Sequence, residues 1–294
     1  MNAIHNITRR NFLKAAGLCA VAASLPVALT GCGSSKGGFK VAVPNDTTNE
    51  ARALMLLQEN GFLTLKEGVD ITATKKDIAE NPYNIEIVEV EAAQIPNVLP
   101  DVDYAVINSN YAIAAGMDPT TQALTSEGAA SKYVNLLCCK EGNENEPKIK
   151  ALAAALSSQQ VADFIDQTYG GAVVATVDAP LADGLAPDVD YAALNGATVS
   201  CACSPAPHAE ILAIAADILA AQGITLEIKQ FDDYIIPNNV VDDGTLDTNY
   251  FQHEPYLNDF NAQNGTHVAK VAGIHVEPMG IYGGKQTSLD ALQA

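Results

Sequence analysis

Arg52 follows Asn45-Asp46-Thr47-Thr48-Asn49-Glu50-Ala51, a polar stretch suited to capping the start of a helix. A guanidinium in the first turns of a helix can pair bidentately with a carboxylate, helped by the positive end of that helix. Asn49, Asn108 and Asn135 fall at strand ends or cap positions, where one amide can bond both a carboxylate and an ammonium. The run Tyr250-Phe251-Gln252-His253-Glu254-Pro255-Tyr256 gathers aromatic and imidazole groups, a slot for an apolar or thioether side chain. This is chemistry for holding a small zwitterion. Each residue also has a plain structural use: Arg52 on a helix surface, Asn49 as a cap, Phe251 and Tyr256 as core.

Catalysis has no comparable support. There is no phosphate loop and no His-Glu-x-x-His. His208, His253, His267 and His275 show no metal-ligand spacing, so neither a metal nor a cofactor is expected. The expectation is a binding protein, not an enzyme.

The elements that must position these residues alternate between short β-branched runs and helical patterns, as in α/β domains. Strands are expected over residues 39–43, 85–90, 104–107, 133–139, 198–202, 225–230 and 268–276, with residues 172–177 a further ordered run. Helices are expected over 50–60, 92–99, 111–115, 149–156, 159–169 and 209–222, with another starting at Tyr250. Residues 178–196, rich in Ala, Asp, Pro and Leu without a period, read as a linker or long surface loop. Strand–turn–helix units on both sides of it predict two α/β lobes, with ligands outside the carboxyl ends of the strands.

The chain carries a formal charge of −19. A leader holding Arg9, Arg10 and Lys14 would leave about −22 after its removal. A body this acidic does not bind nucleic acid through phosphates or lie on an anionic membrane. With 48% apolar and 17% charged residues it is globular, not disordered. The start has the form of an export signal: Thr8-Arg9-Arg10-Asn11-Phe12-Leu13-Lys14, an apolar segment, then Leu29-Thr30-Gly31-Cys32. The paired arginines match a twin-arginine signal. Leu-Thr-Gly-Cys resembles a bacterial lipobox, which implies cleavage before Cys32, lipid on Cys32 and tethering outside the cell membrane. The apolar segment is shorter than the ~18–20 residues of a membrane span. Cys138, Cys139, Cys201 and Cys203 read as buried small hydrophobes or as the source of one cross-strand disulfide.

Several stretches resemble the methionine-binding lipoproteins of bacterial ABC importers. They are Val41-Ala42-Val43-Pro44-Asn45-Asp46-Thr47-Thr48-Asn49-Glu50-Ala51-Arg52, Val106-Ile107-Asn108-Ser109-Asn110-Tyr111-Ala112, Tyr133-Val134-Asn135-Leu136, Pro207-His208-Ala209-Glu210, Asn249-Tyr250-Phe251-Gln252-His253 and Glu277-Pro278-Met279-Gly280-Ile281-Tyr282. The resemblance implies a two-lobed, type II-like periplasmic-binding-protein fold that closes on L- or D-methionine and docks on an ABC permease with its ATPase. It implies that Arg52 holds the ligand carboxylate and that Asn49, Asn108 and Asn135 complete a polar clamp. Tyr250, Phe251, His253 and Tyr282 would line the side-chain slot.

The order of the blocks is that of a circular permutation of the family. The resemblance then assigns residues 1–31 to the signal, 32–38 to the tether and 178–196 to a linker between the family's usual termini. Residues 39–108 with 283–294 would form lobe A, and 113–177 with 197–276 lobe B, with crossings near 108–112 and 279–282. The expected function is an extracytoplasmic, lipid-anchored receptor at the cell membrane. The alternative is an anchored interaction protein on the same fold that no longer binds or delivers an amino acid.

Overall fold

The computed structural model describes residues 38–128 and 133–292; the signal, Cys32 and most of the tether lie outside them. Strands run in the order β1 (Lys40–Pro44), β2 (Thr64–Leu65), β3 (Ile78–Glu80), β4 (Glu86–Val90), β5 (Tyr104–Ile107), β6 (Ala123–Ser126) and β7 (Val134–Lys140). They continue with β8 (Val174–Ala175), β9 (Thr198–Cys203), β10 (Thr225–Gln230), β11 (Thr248–His253), β12 (Val268–Val276) and β13 (Gly280–Gly283). The helices are α1 (Thr47–Glu59), α2 (Ile95–Val98), α3 (Ser109–Ala114), α4 (Pro119–Gln122), α5 (Pro147–Leu156), α6 (Gln159–Tyr169), α7 (Glu210–Ala221), α8 (Ile236–Asp242) and α9 (Glu254–Asn264). No helix among the described residues is long and apolar enough to cross a membrane.

Two sheets divide the chain. The first has the order β4-β1-β5-β13-β6, the second β10-β9-β11-β7-β12-β8. In each, three parallel strands are followed by antiparallel ones. In each, too, the strand beside the parallel trio enters from the other sheet: β13 follows β12, and β7 follows β6. This reciprocal exchange is the two-lobed, type II-like arrangement. The small β2–β3 ribbon stands apart.

Helices cover the sheets because the strands are apolar on both faces. On β1, Val41 and Val43 join the cluster of Leu54, Leu57 and Val106, whereas Ala42 turns to Ile95, Ile107 and Tyr282. In the second sheet Leu137, Val199 and Ile274 pack with Leu152, Ile211 and Leu219 of α5 and α7. Each such side chain contributes about 1.5–3 kcal/mol on burial. Local signals set the helix ends. Asp46 accepts from the Asn49 N–H to cap α1, Ser158 from the Val161 N–H to cap α6, and Gly170 ends α6 at φ 52°. Leu292 is fully buried in the cluster of Val41 and Val43, so the last described residues pack beside the first.

Three expectations need correction. β6 belongs to the first sheet, paired with β13, so residues 113–126 stay with the first lobe. The crossings therefore fall after Ser126 and at 277–279, not at 108–112 and 279–282; β13 is itself a strand of the first sheet. Tyr250 does not open a helix. It lies in β11, held between β9 and β7, and the helix begins at Glu254 after His253 caps it. Residues 178–196 hold no helix or strand, as expected of a linker or surface loop, and are tied down where Leu181 pairs with Ser158 and where Leu185, Val189, Tyr191 and Leu194 pack on the second core. The four described cysteines are buried and free, Cys138 among Leu136, Val241 and Leu257, Cys201 and Cys203 in the larger core.

Candidate functional site

The ends of α1, β5, β7 and β11 converge with the second crossing on a cleft. Six of the eight residues singled out from the sequence line it: Asn49, Arg52, Asn108, Asn135, Phe251 and His253. Tyr250 and Tyr282 do not. Tyr250 faces the helices of the second lobe, where its hydroxyl meets His275 Nδ1. Tyr282 lies on the face of β13 that packs on Ala42 and Ile107, inside the first lobe. Both are fully buried in core, as alternation along a strand requires when its neighbour faces the other way.

Arg52 shapes the polar end. Its Nε and Nη2 donate to Glu127 Oε1 and Oε2 at 2.8 and 2.6 Å, and Nη2 also donates to the Glu277 carbonyl at 2.8 Å. The Tyr133 ring lies 4.2 Å from the guanidinium carbon. The fork expected to clamp a ligand is thus filled by a carboxylate of the chain, and Nη1 is the nitrogen left over. Beside it, Asn108 Nδ2 donates to Asn49 Oδ1 at 2.9 Å, while Asn108 Oδ1 has no partner. Asn49 Nδ2 donates in turn to Asp46 at 2.9 Å.

Behind these residues runs a buried relay. Tyr250 faces His275 Nδ1, and His275 Nε2 bonds Glu277 Oε1 at 2.7 Å. His208 Nε2 lies 3.3 Å from the same oxygen and 2.9 Å from Asn135 Oδ1. Burial pushes both imidazoles down to about 3; Glu277 partly opposes this at His208. They are neutral near pH 7. Burial also raises the Glu277 carboxyl, against His208, Arg52 and the Asn110 N–H. His208, His275 and Glu277 are the group of described residues whose spacing could hold a metal. Here His275 hydrogen-bonds Glu277 and His208 hydrogen-bonds Asn135 beside it, partners that account for their convergence.

His253 caps α9: its Nδ1 accepts from the Tyr256 N–H at 3.2 Å, leaving the proton on Nε2, toward Asn49. Burial, then the Arg52 charge, holds it well below the ordinary imidazole range. The other end of the cleft is aromatic, with Tyr234, Phe251 and Tyr256 centroids 5.7–6.1 Å apart. Tyr234 donates to Asn110 Oδ1 at 2.7 Å and Tyr256 to the Tyr234 carbonyl at 3.0 Å. With both hydroxyls engaged, the rings offer apolar surface.

Sequence reasoning missed Tyr234, Gln252, Glu277, Ser109 and Asn110 as lining residues, and Glu127 behind Arg52. Tyr234 sits in a stretch without period, and Glu127 lies 75 positions from its partner. Glu277 was within reach, as the acid that opens Glu277-Pro278-Met279.

Comparison with known proteins agrees with the resemblance. Residues 6–26 match the twin-arginine translocation signal sequence. The membrane lipoprotein TpN32 of Treponema pallidum is 42% identical over 138 residues, 47% of this chain and 52% of that one. The D-methionine-binding lipoprotein MetQ of Escherichia coli K12 is 40% identical over 139 residues, 47% and 51% of the two chains. The chain thus spans about half the length of the curated relatives it matches. A solved nutrient-binding protein of Burkholderia cenocepacia, bound to methionine, is 42% identical with a TM-score of 0.41, covering 46% of this chain and 57% of that one. The profile of the NlpA lipoproteins matches residues 34–177 and 199–294, well over half of the sequence. The chain belongs to the NlpA lipoprotein family.

Proposed function

We propose that this protein is an extracytoplasmic receptor that captures methionine, L or D, or a close relative, and hands it to an ABC permease driven by its ATPase. The observation that carries the reading is the polarity of the cleft. One end offers Arg52 Nη1, the unpartnered Asn108 Oδ1 and the Glu277 carboxylate; the other offers three aromatic rings. A ligand carboxylate goes to Arg52 and Asn49, an ammonium to Asn108 Oδ1 and Glu277, and a flexible apolar side chain to Tyr234, Phe251 and Tyr256. Asn135, bonded to His208, steadies the polar end, and His253 separates the two ends. The names of the MetQ relatives favour methionine as that ligand.

Lipid on Cys32 would hold the receptor at the outer face of the cell membrane, and Cys32→Ser should release it to the soluble fraction. The gap at 178–198 between the two matched blocks fits a permuted chain in which this stretch joins the family's usual termini. A thermal-shift panel of amino acids tests the binding reading. A ligand at ~100 times its dissociation constant that binds only the folded state adds about 2.7 kcal/mol. If no amino acid shifts the melt, the protein is an anchored interaction protein instead.

A further inference from the structure

We propose that Glu127 sets the charge class of the ligand: by cancelling Arg52 it admits carboxylates that also carry an ammonium and turns away those that do not. The inference rests on the reading of the cleft as an amino-acid site and adds a residue that does not line it.

The pair is well enclosed, with side-chain exposures of 5% for Arg52 and 12% for Glu127. Both carboxylate oxygens face Arg52, one on Nε and one on Nη2. Glu127 has little freedom to turn away. Its Oε2 also accepts from the Met279 N–H at 3.0 Å, and its own N–H donates to the Met279 carbonyl at 2.9 Å. It stands directly after β6, at the start of one crossing, and Met279 ends the other. The guanidinium is thus held by both crossings, with Tyr133 against its face.

Among the described residues lining the cleft Arg52 is the cation, since His253 is neutral there and behind it so are His208 and His275. Glu127 has already balanced it, and Glu277 adds a further carboxyl group at the wall. An incoming carboxylate finds a hydrogen-bond donor in Nη1 but no unbalanced positive charge. In so dry a site a second uncompensated anion is strongly disfavoured. A ligand whose ammonium faces Glu277 and Asn108 Oδ1 brings its own compensation. A free arginine would have accepted any small organic acid.

Calorimetric titration of the full chain in detergent with three probes tests this: methionine, 4-(methylsulfanyl)butanoate, which lacks the ammonium, and methioninamide, which lacks the carboxylate. In the wild type the butanoate should bind more weakly than the amide. In Glu127→Gln the gap between methionine and the butanoate should shrink by at least about tenfold. Glu127→Asp, which keeps the charge, should retain the wild-type ranking. An unchanged gap in Glu127→Gln overturns the proposal. So does a wild type that takes the butanoate as well as the amide, a measurement that needs no variant. If the wild type binds none of the three, the amino-acid reading fails. The role of Glu127 is then decided by whether Glu127→Gln alone gains the butanoate.

Discussion

Arg52 and Glu127 support each other, so removing one partner differs from removing both. In Arg52→Ala the Glu127 carboxylate keeps the Met279 N–H but loses two charged donors where its side chain is only 12% exposed. Breaking a buried pair in this way costs about 3–5 kcal/mol, whereas removing both members is far milder. Urea denaturation of Arg52→Ala, Glu127→Ala and the double variant should therefore give a strongly non-additive cycle; simple addition would show that the pair is uncoupled. Tyr250 gives a second contrast. Tyr250→Phe deprives His275 Nδ1 of its partner in a fully buried site, a loss of about 1–3 kcal/mol in stability. Because Tyr250 does not line the cleft, ligand affinity should stay within about twofold. Phe251→Ala should do the reverse and weaken binding sharply. A Tyr250→Phe variant with normal stability and lost binding would return Tyr250 to the ligand slot.

Elements with their own caps and periods could be read in advance, and elements defined by distant partners could not. α6 spans Gln159–Tyr169 as its pattern predicts, because the Ser158 cap, the apolar Val161 and Ile165 and the terminal Gly170 are all local. β6 carries four residues without clear alternation, and its partner β13 lies about 150 positions away, so no local signal exists. β11 was half legible. Pro255 and Glu254 announce a helix, but flanking strands on both sides fix residues 248–253 as strand. Asp247, at the head of β11, shows how such distant elements are tied. Its carboxylate accepts from Lys148 Nζ at the start of α5 at 2.6 Å, and from the N–H and hydroxyl of Ser200 in β9 at 2.9 and 3.0 Å. Burial works to raise this carboxyl, but the Lys148 and Ser200 bonds prevail and hold it below the ordinary 3.8. A carboxyl depressed on folding stabilises the native state above its unfolded value and loses that contribution as pH falls through its folded value. Asp247→Asn should thus cost about 1.5–3 kcal/mol at pH 7. The difference from wild type should narrow only below pH 3.8. A difference that vanishes by pH 5 would show that the charge is not what matters.

At the scale of the molecule, the cleft exists because two similar sheets exchange strands at two crossings, and the polar residues at the strand ends meet there. Asn49, Asn108 and Asn135 were visible as cap and strand-end residues. The relay behind them was not, since Tyr250, His275, Glu277 and His208 come from three separate stretches of chain. That relay gives the whole protein a pH dependence. Burial takes His208 and His275 down to about 3, and His253 well below its ordinary range, whereas each would titrate near 6.5 once unfolded. Between those values the unfolded chain binds protons that the native chain refuses. Stability is then complete above about pH 6.5 and falls as pH drops, with a limiting slope of about 1.4 kcal/mol per pH unit for each such histidine. Glu277 acts with the opposite sign. Its folded value is raised, so just above 4.5 the native chain holds the extra proton and one histidine is offset. Asp46 and Glu50, also raised by burial, add to that offset just above their ordinary values. The decline in unfolding free energy measured by urea at pH 7, 6 and 5 is therefore the part that the three histidines carry. The steepest part should lie below pH 6. His275→Gln should flatten the decline by about one histidine's worth while lowering stability at pH 7. A wild-type profile level from pH 7 to 5 would mean that the buried imidazoles are protonated in the native state. The His208–Glu277–His275 contacts would then be ion pairs, and the cleft would carry a positive charge that the neutral relay denies it.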